Sequence, residues 1–195
     1  MKVRVIASLV TALCLAFTGT AFASSVGVFF AADGSDCDAS NASGPFTYYI
    51  GAVLNADAAA GGITGAEFRV ANAPQQADGW FMTPVRNPAA NLDVGNPTAE
   101  GTNIAFPVCS PNPPAPFLLL FTVSGFASTS PVRAMKVERH TNPSNPNFPC
   151  PLVVLCDAPV FTKLCVPGGE AFLNGGVCTV GVEDKSWSSV KSLFN

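Results

Sequence analysis

Short apolar runs follow one another along the chain, and hydrophobic and polar residues alternate within several of them. In Ile63–Ala71, for example, the apolar Phe68 and Val70 alternate with Glu67 and Arg69. This two-residue period is typical of a β-strand with one buried and one solvated face, and it predicts that Glu67 points to solvent. The other runs have the length and composition of strands. We predict strands at 26–31, 46–54, 63–71, 80–83, 103–108, 117–125, 132–139, 152–156, 160–166 and 170–173.

Turn-forming residues separate these runs at the spacing expected of an all-β domain. The 195 residues include 17 Gly and 17 Pro, and no alternation of strands with helices is visible. Two proline-rich stretches, 107–116 and 143–151, are expected to be stiff extended loops. The pattern predicts an all-β, antiparallel β-sandwich with its core in 24–142. A Pro- and Cys-rich segment at 143–182 either completes the sandwich or is appended to it.

The amino terminus has the three parts of a secretory signal peptide. Lys2 and Arg4 precede an apolar stretch at 5–17, and small residues at 21 and 23 form a cleavage site. A membrane-spanning helix needs about 20 apolar residues, so we predict that 1–23 is removed rather than retained as an anchor. No later stretch is a candidate transmembrane segment. The expected location is extracellular or at the cell surface.

Cysteine usage agrees with export. One of the seven cysteines, Cys14, lies in the predicted signal peptide. An even number of cysteines in an exported chain implies disulfide bonds, although their connectivity does not follow from spacing. A turn at 157–159 suggests a hairpin that would place Cys156 opposite Cys165. The six cysteines expected to form disulfides are Cys37, Cys109, Cys150, Cys156, Cys165 and Cys178.

Charge and catalytic residue types argue against several classes of protein. Charged residues make up 12% of the chain, against about 25% in typical domains, and the net charge is −3. Without a Lys/Arg cluster, we expect no nucleic-acid partner. The single histidine, His140, lies in a predicted solvated loop, and no G-x-S-x-G motif occurs. Nothing brings two glutamates together for glycoside hydrolysis, and Glu138, like Glu67, is expected on a solvated strand face. We therefore predict that the chain is not an enzyme.

Aromatic side chains are the candidates for ligand binding, because a β-sandwich can hold a sugar by stacking a ring on it. The candidates are Trp80, Tyr48 and Tyr49, together with Phe81. Adjacent residues on a strand point to opposite faces, so at most one of the two tyrosines lies in the core. The alternative for all four rings is core packing.

An acidic loop is the candidate calcium site. Asp33, Asp36 and Asp38 supply three carboxylates within six residues, and Ca²⁺ prefers oxygen ligands from flexible loops. The spacing does not match an EF-hand, and a polar loop anchored by Cys37 is the alternative. No other cofactor is expected.

The carboxyl-terminal tail, 183–195, is the predicted helix of the chain. Trp187, Val190 and Phe194 recur at i, i+3 and i+7 and so share one helix face. This apolar face would either dock on a partner as a sorting or attachment element, or pack on its own domain.

Two strings resemble known secreted proteins. GITGAEF at 62–68 and LLFTV at 119–123 resemble the core strands of cohesin-like secreted β-sandwich modules. The resemblance implies a jelly-roll-like sandwich that binds protein or carbohydrate without catalysis. The six cysteines and the proline-rich loops depart from that pattern, so no binding residue is carried over. VEDKSWSSVKSLF at 182–194 resembles a tail found on many uncharacterised secreted bacterial proteins.

Together these features predict a secreted, non-catalytic interaction or cell-surface module of a bacterium, whose partner is an extracellular protein or glycan. The alternative is a carbohydrate-binding module that uses the aromatic residues. An extracellular hydrolase is the less favoured third hypothesis.

Overall fold

The structure is a computed structural model that describes residues 24–40 and 42–176, and its regular secondary structure is nearly all β-strand. These residues also contain a short helix, α1 (Ala56–Gly61), and a 3-10 turn at Gln76–Asp78. The strands are β1 (Ser25–Phe29), β2 (Asp38–Ala39), β3 (Gly44–Val53), β4 (Ile63–Ala71), β5 (Trp80–Arg86), β6 (Leu92–Asn96), β7 (Gly101–Ser110), β8 (Phe117–Ala127), β9 (Arg133–Glu138), β10 (Leu152–Leu155), β11 (Lys163–Cys165) and β12 (Glu170–Leu173).

One layer of the sandwich, called sheet 1, has four antiparallel strands in the order β1-β3-β8-β5. Side chains alternate across it as the sequence predicts. Tyr48, Ile50 and Val123 are buried on the inner face, whereas Pro45 and Phe126 are exposed on the outer face. β5 forms one edge of this sheet.

The second layer, sheet 2, is organised around β4. Residues 63–68 of β4 pair with β7, residues 63–67 pair with β10, and residues 69–71 pair with β9. β6 extends the sheet beyond β7, β11 extends it beyond β10, and β12 extends it beyond β9. The short β2 adds to β12 in parallel. The strands after residue 142, which are β10, β11 and β12, thus belong to the same sheet as β4 and β9. Of the two alternatives for this segment, the described part of it completes the sandwich and is not appended to it.

The core lies between the two layers and is rich in aromatic residues. Phe46 meets the Trp80 ring edge-on with ring centroids 5.1 Å apart, and Phe29 meets Phe117 at 5.4 Å. The largest fully buried side chains are Trp80, Tyr48, Phe68, Phe121, Ile50, Ile63, Leu120 and Met135. The prediction of a disulfide-stabilised β-sandwich is confirmed by these layers and by the cysteine pairs described below.

The sequence prediction missed α1, β6, the two-residue β2 and the 3-10 turn. α1 is Ala-rich and begins after Asn55, whose Oδ1 accepts a hydrogen bond from the Ala58 backbone N–H at 2.9 Å. The sequence analysis predicted a helix only in the tail at 183–195, so α1 is an additional helix. β6 contains Asp93, Gly95 and Asn96, which have low strand propensity, and its ladder to β7 supplies the pairing that propensity does not.

The disulfides differ from the predicted pairing. Cys109 is bonded to Cys156, with Cα atoms 5.8 Å apart, and Cys150 is bonded to Cys165, with Cα atoms 5.5 Å apart. The hairpin expected around 157–159 does form, but its register places Cys165 opposite Leu152. Cys165 therefore lies beside Cys150, and the prediction that it faces Cys156 is wrong. Cys37 is also disulfide-bonded.

Several predictions fall on residues that the structure does not describe. These are the signal peptide at 1–23, Cys178, and the tail residues Trp187, Val190 and Phe194. Within 24–40 and 42–176, no helix is long and apolar enough to cross a membrane.

Candidate functional site

Two of the four aromatic candidates, Trp80 and Tyr48, lie in the core. Trp80 is 1% exposed, and its indole N–H donates to the Thr129 carbonyl oxygen at 3.0 Å. Tyr48 is also 1% exposed, and burial raises its pKa well above the usual value. Neither ring has a free face to offer a ligand. Both therefore act in packing, which was the alternative interpretation of the sequence.

Tyr49 and Phe81 occupy the opposite side of sheet 1. Tyr49 follows Tyr48 on β3, so it points outward and is half-buried. Phe81 follows Trp80 on β5 and is 56% exposed. The adjacent-residue rule thus places one member of each pair in the core and the other on the surface.

These two residues belong to a nine-residue surface, here called the sheet 1 face. Pairing aligns its residues in three ranks that cross β3, β8 and β5. The ranks are Pro45–Phe126–Phe81, Thr47–Ser124–Thr83 and Tyr49–Thr122–Val85.

The ranks differ in chemistry. The first presents two exposed aromatic rings, since Phe126 is 51% exposed beside Phe81. The second is a row of hydroxyl groups, in which the Thr47 and Ser124 oxygens are 3.0 Å apart and hydrogen-bonded. The third combines the Tyr49 ring with Val85. Alternate residues on a strand are about 6.8 Å apart, so the first and third ranks are separated by roughly 13 Å.

None of the nine residues of the sheet 1 face is charged. The exposed apolar groups are therefore interleaved with neutral hydrogen-bonding groups. Such a surface favours neutral ligands that present both C–H and O–H groups.

The edge of this sheet is protected against strand addition. β5 carries Pro84, which has no backbone N–H, and prolines on edge strands hinder pairing with another strand. Addition of a partner strand at the β5 edge of sheet 1 is therefore disfavoured.

The sequence missed Phe126 and the hydroxyl row as candidate binding residues. Part of the signal was present, because Thr122 and Ser124 occupy alternate positions of the strand predicted at 117–125, and Phe126 continues that alternation just beyond its predicted end. What could not be read was their alignment with residues of β3 and β5, since that depends on the pairing register.

The three aspartates of the acidic loop are not brought together as a metal site. Asp33 accepts hydrogen bonds from the Ser35 hydroxyl at 2.6 Å and the Ser35 backbone N–H at 3.0 Å, which lower the pKa of its carboxyl group. Asp36 accepts from the Asp38 backbone N–H at 3.0 Å. Among residues 24–40 and 42–176, no group of three His, Cys, Asp or Glu side chains could hold a metal ion. The structure therefore favours the polar-loop interpretation.

The remaining titratable candidates also have structural roles. His140 is 8% exposed rather than solvated, and its Nδ1 accepts from the Asn142 backbone N–H at 2.9 Å. Glu67 is 6% exposed, because the 143–151 loop crosses it and the Ser144 backbone N–H donates to its carboxylate at 2.9 Å. The expectations of a solvated His140 and a solvated Glu67 are both wrong. Glu138 forms an ion pair with Arg69 at 2.7 Å.

Comparison with protein-family models, with curated proteins and with solved structures finds no match to this chain.

Proposed function

We propose that this chain is a secreted, non-catalytic binding module that attaches to a neutral glycan through the sheet 1 face. The observation that carries the proposal is the alignment of exposed aromatic rings with a hydroxyl row on one uncharged surface. Export through the predicted signal peptide at 1–23 is part of the proposal, and disulfide bonds fit an oxidising compartment.

The chemistry of the surface supports a sugar ligand. The apolar side of a pyranose ring stacks on an aromatic ring, and Phe81, Phe126 and Tyr49 provide such rings at opposite ends of the face. The hydroxyl groups between them can donate to and accept from sugar hydroxyls. A separation of roughly 13 Å between the outer ranks is long enough for more than one ring of a chain.

The other candidate occupant is an extracellular protein. Exposed apolar patches of this kind also mark protein interfaces, and the cohesin-like resemblance of residues 62–68 and 119–123 implies either type of ligand. The absence of charge on the face favours the glycan, because protein interfaces commonly have a charged or polar rim that fixes orientation.

Binding to insoluble polysaccharides tests the proposal. The mature protein would be incubated with cellulose, with chitin and with a glucan made insoluble by cross-linking, and the bound fraction of the protein would be measured. We expect at least one of them to retain the protein, and the double variant Phe81→Ala/Phe126→Ala to lose at least tenfold in affinity.

A matched control separates loss of the face from loss of surface hydrophobicity. Val132 and Val160 are 74% and 72% exposed and lie outside the sheet 1 face. The variant Val132→Ala/Val160→Ala should bind like the wild type. The proposal would be contradicted if Phe81→Ala/Phe126→Ala still bound the polysaccharide as the wild type does, or if the wild type bound none of the glycans. Saturable binding to a secreted protein that depends on Phe81 and Phe126 would assign the face to a protein partner instead.

The tail forms a second part of the proposed function. If Trp187, Val190 and Phe194 act in sorting or docking, deletion of residues 186–195 should abolish cell-surface attachment while leaving glycan binding intact. Unchanged attachment would contradict that role.

A further inference from the structure

A cleft of about 580 Å³ opens on sheet 2 where β9 ends. One wall is residues 136–141, and the other consists of residues 149–151 and 166–168. The cleft lies on the layer opposite the sheet 1 face, so it is independent of the surface proposed above.

Covalent and backbone bonds hold the second wall in place. The Cys150–Cys165 disulfide joins its two segments. Gly169, next to the wall, donates its N–H to the Val26 carbonyl oxygen in sheet 1 at 2.8 Å and accepts from the Val137 N–H in sheet 2 at 3.0 Å. A cleft fixed in this way loses little conformational freedom when a ligand binds.

Among the charged residues of the lining, cations outnumber carboxylates: Arg69, Lys136 and Arg139 face a single carboxylate, that of Glu138. Two of the cations have carboxylate partners. Arg69 pairs with Glu138 at 2.7 Å, and Lys136 pairs with Glu170 at 3.2 Å.

Arg139 differs from these two cations. Within the described part of the chain it forms no ion pair, and its Nη2 donates to a carbonyl oxygen, that of Pro146, at 3.2 Å. Its Nε is buried without a hydrogen-bond acceptor. A buried donor of a charged group without an acceptor is unfavourable, so this guanidinium is left with unsatisfied charge and hydrogen-bonding capacity.

His140 adds a second donor to the lining. Because its Nδ1 accepts the Asn142 N–H, the neutral imidazole carries its hydrogen on Nε2. The cleft thus combines a guanidinium without a counter-ion with an imidazole whose remaining nitrogen is a donor.

We infer that this cleft is a binding site for a small oxyanion, a carboxylate or a phosphate, with the Arg139 guanidinium as its principal ligand. A guanidinium matches the geometry of either anion because its N–H groups form a planar fork. The oxyanion supplies the counter-charge that Arg139 lacks, whereas the charges of Arg69 and Lys136 are already balanced by Glu138 and Glu170.

Matched sugars test this inference on the mature, oxidised protein. Glucuronate and glucose share a ring and differ in a carboxylate, and inorganic phosphate tests the second source of an oxyanion. We expect calorimetric titration to show saturable binding of glucuronate, phosphate or both, and no binding of glucose. Whichever anion binds identifies the source.

Variants connect the binding to the cleft. Arg139→Gln should lower the affinity for the bound anion at least tenfold, whereas Arg139→Lys, which keeps the charge and loses the fork, should have an intermediate effect. Arg86→Gln on β5, in the other layer, is the control and should bind like the wild type.

Backbone amide chemical shifts provide a readout that does not depend on the folding of a variant. Titrating the wild type should perturb the backbone amides of residues 136–141 and of Val166 and Gly168. The inference would be overturned if neither anion bound saturably, or if glucose bound as well as glucuronate. It would also be overturned if Arg139→Gln bound the anion with wild-type affinity, or if the perturbed amides all lay on another surface. None of these results bears on the sheet 1 face, whose test uses neutral polysaccharides and different residues.

Discussion

The rings of Phe68 and Phe121 meet edge-on in the core, with centroids 6.2 Å apart and planes at 76°. Phe68 belongs to β4 of sheet 2 and Phe121 to β8 of sheet 1, so this contact joins the two layers. Both residues are at most 1% exposed. They also lie in the two strands whose sequences resemble cohesin-like modules, which means that those strings describe a core contact and do not describe a binding surface.

Truncating either ring should strongly destabilise the fold. We expect Phe68→Ala or Phe121→Ala to lower the free energy of unfolding by about 3–5 kcal/mol, from lost burial and the cavity that remains. Their double-mutant cycle should give a coupling of about 0.5–1.5 kcal/mol, as expected for an edge-to-face pair. Urea unfolding of the oxidised protein measures both quantities. Substitution of the exposed Phe126 by Ala should change the free energy of unfolding by less than about 0.5 kcal/mol. If Phe126→Ala destabilised the protein as much as Phe68→Ala, this description of the core would be contradicted.

The disulfide connectivity predicts specific cross-linked peptides. Peptide mapping without reduction should recover Cys109 linked to Cys156 and Cys150 linked to Cys165. Replacing both members of either pair with Ala should cost about 2–5 kcal/mol, through the greater freedom of the unfolded chain. A peptide that links Cys156 to Cys165 would show that the β10–β11 register is wrong.

Gly101 should be intolerant of a side chain. Its φ of +118° is unfavourable for other residues, and an added Cβ would lie 2.6 Å from Cδ2 of His140. We expect Gly101→Ala to destabilise the protein by more than about 1 kcal/mol and to shift the His140 ring resonances.

Gly61 provides the matched control for Gly101. It ends α1, and a Cβ there would meet nothing within 4 Å. Gly61→Ala should therefore be neutral or stabilising by about 0.4–1 kcal/mol. Equal effects of the two substitutions would contradict the placement of His140 against Gly101.

Stability should fall at alkaline pH because of Tyr48. Burial raises the pKa of its phenol in the folded state, whereas the unfolded phenol titrates near its usual value of about 10. The unfolded state therefore releases this proton first, so the stabilisation is complete below about pH 10 and is lost as pH rises toward the folded-state pKa. Unfolding free energies measured between pH 9 and 11 should fall more steeply for the wild type than for Tyr48→Phe. Parallel curves would show that Tyr48 is accessible to solvent.

Local pattern was sufficient for most strands. The predicted run at 63–71 coincides with β4, and the run at 170–173 coincides with β12. In β12, and in the second half of β4, buried side chains alternate with more exposed ones. The two-residue period in the sequence therefore reports which face of the sheet each residue occupies. β6 was missed because its residues carry little of that signal and its conformation depends on the neighbouring β7.

Burial of polar residues could not be predicted in the same way. Glu67 alternates correctly for a solvated face, yet a distant loop covers it through Ser144. His140 lies between polar residues in the sequence and is buried because its ring packs against Gly101. In both cases the covering residues come from a different part of the chain, and local sequence has no information on such contacts.

By itself, the sequence determined that this protein is an all-β sandwich with a disulfide framework, because side-chain period, turn residues and cysteine number are local properties. Only the tertiary structure decided which cysteines bond, which aromatic rings are exposed and which cations lack a counter-charge. These outcomes depend on strand register, and a shift of one residue would exchange the two faces of a strand. The sheet 1 face and the Arg139 cleft are both products of that register.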